Sequence, residues 1–150
     1  MARYVTTADA NVSLNGTWPF NSVSVPCGSG SVIPLSTGIL TLRGGKNQFA
    51  RYDVRVEGNV AIAEGGAVTP IAAAILLDGV VMPESVAIVT PAADGDYWHI
   101  NTGTTITVPC GCCVSVSAAY VDGTEDDATV TPTPSITLRR NASIDVNRTA

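Results

Sequence analysis

The sequence is poor in the groups that carry out chemistry. One histidine, His99, and one lysine, Lys46, occur in 150 residues. A Ser-His-Asp or Cys-His arrangement would have to use His99. It lies in Asp96-Tyr97-Trp98-His99-Ile100, which reads as an ordinary strand after a turn, with no nucleophile elbow or oxyanion loop beside it. No Gly-rich phosphate loop opens a helix. The chain is therefore expected to be no enzyme and to hold no cofactor. Charge is scarce as well: charged residues make up 14% and the net charge is -5. The basic residues are scattered apart from Arg139-Arg140, which excludes a nucleic-acid partner, because replacing phosphate counterions needs clustered Lys and Arg. No apolar run reaches the roughly 18 to 20 residues that span a bilayer, so no membrane role is expected. The first residues, Met1-Ala2-Arg3-Tyr4-Val5-Thr6-Thr7, lack the apolar core of a secretory signal. Aromatics amount to 5% and do not cluster; only Tyr97-Trp98 offers half of a sugar-stacking platform.

What the sequence does contain is strand pattern. Hydrophobic residues make up 45% of the chain, enough for one domain with a single core. Ala50, Tyr52, Val54 and Val56 alternate with Arg51, Asp53, Arg55 and Glu57, the period-2 signature of a half-buried strand. Val114, Val116, Ala118 and Tyr120 repeat it, as do Ile136 with Leu138 and Ile144 with Val146. Shorter candidates are Asn21 to Val25, Gly38 to Leu42, Val86 to Thr90, Tyr97 to Ile100 and Thr104 to Val108. Asp78-Gly79 between Ile75-Leu76-Leu77 and Val80-Val81-Met82 predicts a type I′ hairpin. Nine prolines leave little room for helices. The run from Ile71 to Leu77 does not alternate. Its alanines suit a helix, but its length, the preceding Pro70 and the following turn favour a strand buried on both faces. In so small a domain, such burial implies that a neighbouring subunit supplies one cover. Ile71, Ala73, Ile75 and Leu77 are the candidate subunit interface.

The fold class expected is an all-β antiparallel jelly-roll sandwich over 18–140. Residues 1–17 are read as an extended N-terminal arm, anchored by Val5, Val12 and Leu14, and 141–150 as a C-terminal extension. The four cysteines are Cys27, Cys110, Cys112 and Cys113. Zinc wants paired knuckles and only one Cys-rich segment exists, so no metal site is expected. On a strand, Cys110 and Cys112 would share a face with Cys113 opposite. A disulfide from Cys27 to one of the others, a bridge between subunits, and four reduced thiols all remain open. The acidic stretch from Asp122 to Asp127 lacks EF-hand spacing and reads as a solvated turn.

The order of motifs resembles the jelly-roll superfamily of tumour necrosis factor and complement globular heads. The bacterial branch, represented by the C-terminal domain of spore exosporium collagen-like glycoproteins, is the most similar. The residues that carry the likeness run from Pro19-Phe20-Asn21-Ser22-Val23 through Gly38-Ile39-Leu40-Thr41-Leu42 and the strand from Ala50 to Val56. They continue through the hairpin from Ile75 to Pro83, Ile106-Thr107-Val108, and Ser135 to Arg140. The run Val108-Pro109-Cys110-Gly111-Cys112-Cys113 is also similar to small proteins of Firmicutes bacteria and their phages. This resemblance implies a tight homotrimer; the sequence departs from it in having no Gly-x-y collagen stalk, so an exosporium filament role is not carried over. The function expected is that of a trimeric decoration or fibre subunit on a phage virion surface, partnered by itself and by neighbouring structural proteins. The alternative is an adhesin or glycan-binding head on a bacterial cell or spore surface.

Overall fold

A computed structural model describes residues 2–25, 32–36, 38–111, 113–123 and 131–149, with only the backbone of 33–36. The strands in chain order are β1 (Ala2–Val5), β2 (Ala10–Ser13), β3 (Ser22–Val25), β4 (Val32–Ser36), β5 (Ile39–Arg43), β6 (Ala50–Ile62) and β7 (Ile71–Leu77). They continue with β8 (Val80–Val81), β9 (Ala87–Val89), β10 (Trp98–Val108), β11 (Cys113–Asp122), β12 (Ser135–Leu138) and β13 (Ser143–Arg148). A 3-10 turn at Pro83–Ser85 is the only helical element among the described residues. The chain is all-β, as its alternation predicts.

Two antiparallel sheets face each other. The seven-stranded sheet runs β2-β12-β6-β13-β1-β3, with β10 on the second edge of β6. Strand β6 is long enough to pair β13 over its first half and β12 over its last residues along one edge. The six-stranded sheet runs β4-β5-β11-β7-β8, with β9 also on β7. The alternating set Ala50, Tyr52, Val54, Val56, Val60 and Ile62 points inward, while Arg51, Asp53 and Arg55 are exposed, as alternation requires. Leu40 and Leu42, Ile71 and Ile75, and Val116 and Tyr120 face them from the other sheet. The Tyr120 hydroxyl, deep in this core, donates to the Thr133 carbonyl at 2.6 Å. Gly58 takes the inward position between Val56 and Val60 without a side chain, for a reason of space. A Cβ there would lie 2.9 Å from that of Ala142 and 3.3 Å from both Leu138 Cδ1 and Trp18 Cζ3.

The terminal segments differ from expectation. Residues 2–17 are not an arm, and 143–148 are not an extension beyond the closing strand. Strand β1 lies between β13 and β3, with Ala2 opposite Val146, and β2 pairs β12. The Arg3 guanidinium grips Asp145 through Nε–Oδ1 at 2.6 Å and Nη2–Oδ2 at 3.1 Å. That hydrogen bond, then the carboxylate charge, raises the Arg3 pKa above its ordinary value. Of the proposed anchors, Val12 is buried and Val5 and Leu14 are half-buried, all within this chain's own sandwich. The entropy cost of ordering these terminal segments is met by pairing within the chain.

Candidate functional site

Strand β7 is buried on both faces, as its composition predicts, but one chain supplies both covers. Ile71, Ala73 and Ile75 lie in the main core and Leu77 packs against it. On the opposite face Ala72 and Ala74 join Ala119 and Val121 in a second buried cluster, with Leu76 alongside. The expected subunit interface at Ile71, Ala73, Ile75 and Leu77 is therefore corrected. These side chains fill the protomer's own interior and are not open to a neighbour. The alanines allow the double burial because their small side chains need little cover.

Exposed apolar surface instead gathers beside β7, on β8, β9 and the 3-10 turn. Val80 is 69% exposed and Ile88 55%, with Val81 and Val86 also exposed. None of these four carries charge, and a groove of about 520 Å³ opens beside them, lined by Val81, Pro83, Val86, Val121, Asn15 and Asp122. The patch is held rigidly. The Ile75 N–H donates to Ser85 Oγ at 2.9 Å, and the Ser85 hydroxyl donates to the Met82 carbonyl at 2.7 Å. The Thr102 hydroxyl bonds the Ser85 carbonyl, and Thr104 donates to Glu84 at 3.3 Å. The far edge of the same sheet is different: β4 carries Pro34, which has no N–H to offer a strand partner. One edge is blunted and the other is apolar.

No family model matches the chain. No curated protein matches it either. Among solved structures, Eiger TNF from S. frugiperda superimposes with a TM-score of 0.62 at 11% identity, covering 99% of this chain and 91% of that one. The fold is a TNF-like jelly roll.

Within this TNF-like jelly roll the remaining sequence candidates fall apart spatially. The exposed His99 ring meets Asn59 at 3.4 Å and Glu57 at 3.9 Å, on the solvent face of the seven-stranded sheet. Tyr97 and Trp98 are both partly exposed, but each is tied differently. The Arg139 guanidinium stacks 5.3 Å from the Tyr97 ring, while the Trp98 indole N–H donates to Asp96 at 3.0 Å. Tyr97 ends the loop before β10 and Trp98 opens the strand, so the two rings are held by different partners. Cys110 and Cys113 are exposed, free thiols. Cys27 and Cys112 lie outside the described residues, as does the acidic stretch beyond Gly123. Among the described residues, no three His, Cys, Asp or Glu side chains converge as a metal site would require. Cys113 opens β11, whereas Cys110 does not lie on a strand. Cys110 and Gly111 form a turn between sheets, with Gly111 at φ 72°.

Sequence reasoning did not single out the β8–β9 edge. Its signal was present: Val80, Val81, Val86 and Ile88 stand in a stretch whose only charge is Glu84. Both pieces read as strands in the sequence, but strands of two and three residues are too short for a period to show which of their side chains stay exposed.

Proposed function

We propose that this chain is a non-enzymatic structural subunit that associates with copies of itself, as a homotrimer, through the β8–β9 edge. The observation that carries this reading is the apolar set Val80, Val81, Val86 and Ile88, exposed along the β8–β9 edge with Glu84 the one charge in that stretch. A chain with net charge -5 repels its own copies, so a contact between copies is best made where charge is sparse. The setting proposed is the surface of a phage particle, as a decoration or fibre protein beside other structural proteins. That part rests on the sequence resemblance around Val108 to Cys113. Native mass spectrometry of the pure protein tests the association, and immunogold electron microscopy of particles from the source tests the setting. Trimers and labelled particles support the reading; monomers and unlabelled particles refute it.

A second reading, a glycan-binding head, is favoured by the exposed rings of Tyr97 and Trp98 where a loop pinned by two bonds enters β10. The Gly65 N–H donates to Asp94 Oδ2 at 2.9 Å, and the Gly95 N–H donates to the Ile62 carbonyl at 3.0 Å. Glycan-array binding that is lost in Trp98→Ala would support it.

A further inference from the structure

The outer face of the seven-stranded sheet carries a row of charges along β6, and all but one of them are matched. The Asp145 carboxylate on neighbouring β13 is held by Arg3 through two bonds. The Thr105 hydroxyl donates to Asp53 Oδ1 at 2.9 Å. Glu57 meets the His99 ring, and the Arg51 guanidinium lies 5.7 Å from the centroid of Phe49. Arg55 is the exception. It is exposed, and among the described residues its guanidinium has no ion-pair, hydrogen-bond or ring partner.

The register shows what surrounds it. Arg55 stands between Asp145 on β13 and Gly103 on β10, with Asp53, Asn147 and Thr105 one outward position along the same strands. A glycine in the middle of a long strand weakens it, and such a residue often marks a place where something approaches the sheet closely. A Cβ on Gly103 would lie 3.9 Å from Arg55 Cα and 3.2 Å from the Val54 carbonyl oxygen. Glycine therefore leaves the β10 side of Arg55 open. Two hollows flank the guanidinium and share Asp53 and Arg55. One, of about 420 Å³, includes Gly103 and Thr105; the other, of about 290 Å³, includes Asp145 and Asn147. Their floor is rigid, because β6 is paired on both edges.

These groups select a ligand by chemistry. An unpartnered guanidinium offers a planar fork of N–H donors that fits a carboxylate by two parallel bonds. A phosphate would set its additional charge against Asp53 and Asp145, whereas a carboxylate brings less repulsion. Hydroxyls beside that carboxylate turn Asp53 into a partner, since an ionised Asp only accepts, and the Asn147 amide can accept or donate. We propose that this face binds an acidic sugar, a pyranose that carries a carboxylate, with the carboxylate on Arg55 over Gly103 and the hydroxyls on Asp53 and Asn147. The site uses neither the β8–β9 edge nor the rings of Tyr97 and Trp98, and it rests on neither of the readings above.

The test is a titration of the ¹⁵N-labelled full-length protein with glucuronic acid and with N-acetylneuraminic acid, followed by amide chemical shifts. At least one acid should move the amides of Arg55, Gly103 and Asn147 saturably, while glucose and acetate at the same concentrations should not. Arg55→Gln, a change at an exposed position that keeps the fold, should abolish the response. Arg55→Lys keeps the charge but loses the fork, and should weaken binding by roughly tenfold or more. Gly103→Val, which fills the open side and leaves Arg55 in place, should also abolish it. Trp98→Ala and Ile88→Glu should bind as the parent does, so this site and the two readings above fail separately. No saturable shift with either acid, an equal response to glucose, an equal response to acetate (an adventitious ion only), or unchanged binding in Arg55→Gln would overturn the proposal.

Discussion

Removing residues 1–15 should unfold the domain. Deletion strips β1 from between β13 and β3 and takes β2 from β12, leaving backbone groups of three strands without partners. Each such group that stays buried costs about 1–3 kcal/mol. Tyr4 and Val12, 5% and 2% exposed, are lost from the core at about 1.5–3 kcal/mol each. The sum reaches the roughly 5–15 kcal/mol by which a domain is stable at all. A gentler form of the same test is Val12→Ala. Two buried methyl groups at about 0.8 kcal/mol each, plus a small cavity, give a loss of about 2 kcal/mol. For a domain of this size that lowers Tm by roughly 4–8 °C. Circular dichroism melts and urea titrations of both variants measure the effect. A truncated protein that keeps its β spectrum and a cooperative melt within a degree or two of the parent would refute the placement of β1 and β2. So would a Val12→Ala change within about 0.5 kcal/mol, the size expected of an exposed arm.

Gly58→Ala should destabilise by a net of about 1–2 kcal/mol, the overpacking against Ala142 and Leu138 outweighing the gain from removing a strand glycine, as read from the urea midpoint. The Tyr120 phenol, pushed up to about 12 by burial and then by Asp122, keeps its proton in the folded state when the unfolded chain has lost it. Stability should therefore be intact below pH 10 and fall between about pH 10 and 12, by roughly 2–3 kcal/mol in all, and Tyr120→Phe should flatten that slope in alkaline melts. His99→Ala, at an exposed position, should leave stability within about 0.5 kcal/mol; a selective loss of turnover in the folded variant would overturn the non-enzymatic reading.

The strands that were legible in the sequence are those whose two faces meet different surroundings. Residues 50–57 and 114–120 sort apolar from polar because one face meets the core and the other meets solvent or the chain's second cover. The Asp78-Gly79 turn was legible for a conformational reason, since both residues take positive φ, 51° and 81°. Strand β10 was read as two pieces because Asn101 and Gly103 interrupt its apolar pattern, yet backbone pairing carries it unbroken across from Trp98 to Val108. The N-terminal strands β1 and β2 are not legible because single residues such as Tyr4 and Val12 carry their burial, and their partners in β13 and β12 lie more than 100 residues away in sequence. The double burial of Ile71 to Ile75 was legible, but its cause was not. Composition reports that a strand is covered, not which chain covers it.

The central claim, association through the β8–β9 edge, is tested most directly by sedimentation velocity of the unmodified protein beside Ile88→Glu. Ile88 is 55% exposed in the protomer, so a carboxylate there leaves the single chain folded but strands an unpaired charge in any interface. The unmodified chain should sediment as a trimer and the variant as a folded monomer. A monomer in both, or an unchanged trimer in the variant, would contradict it.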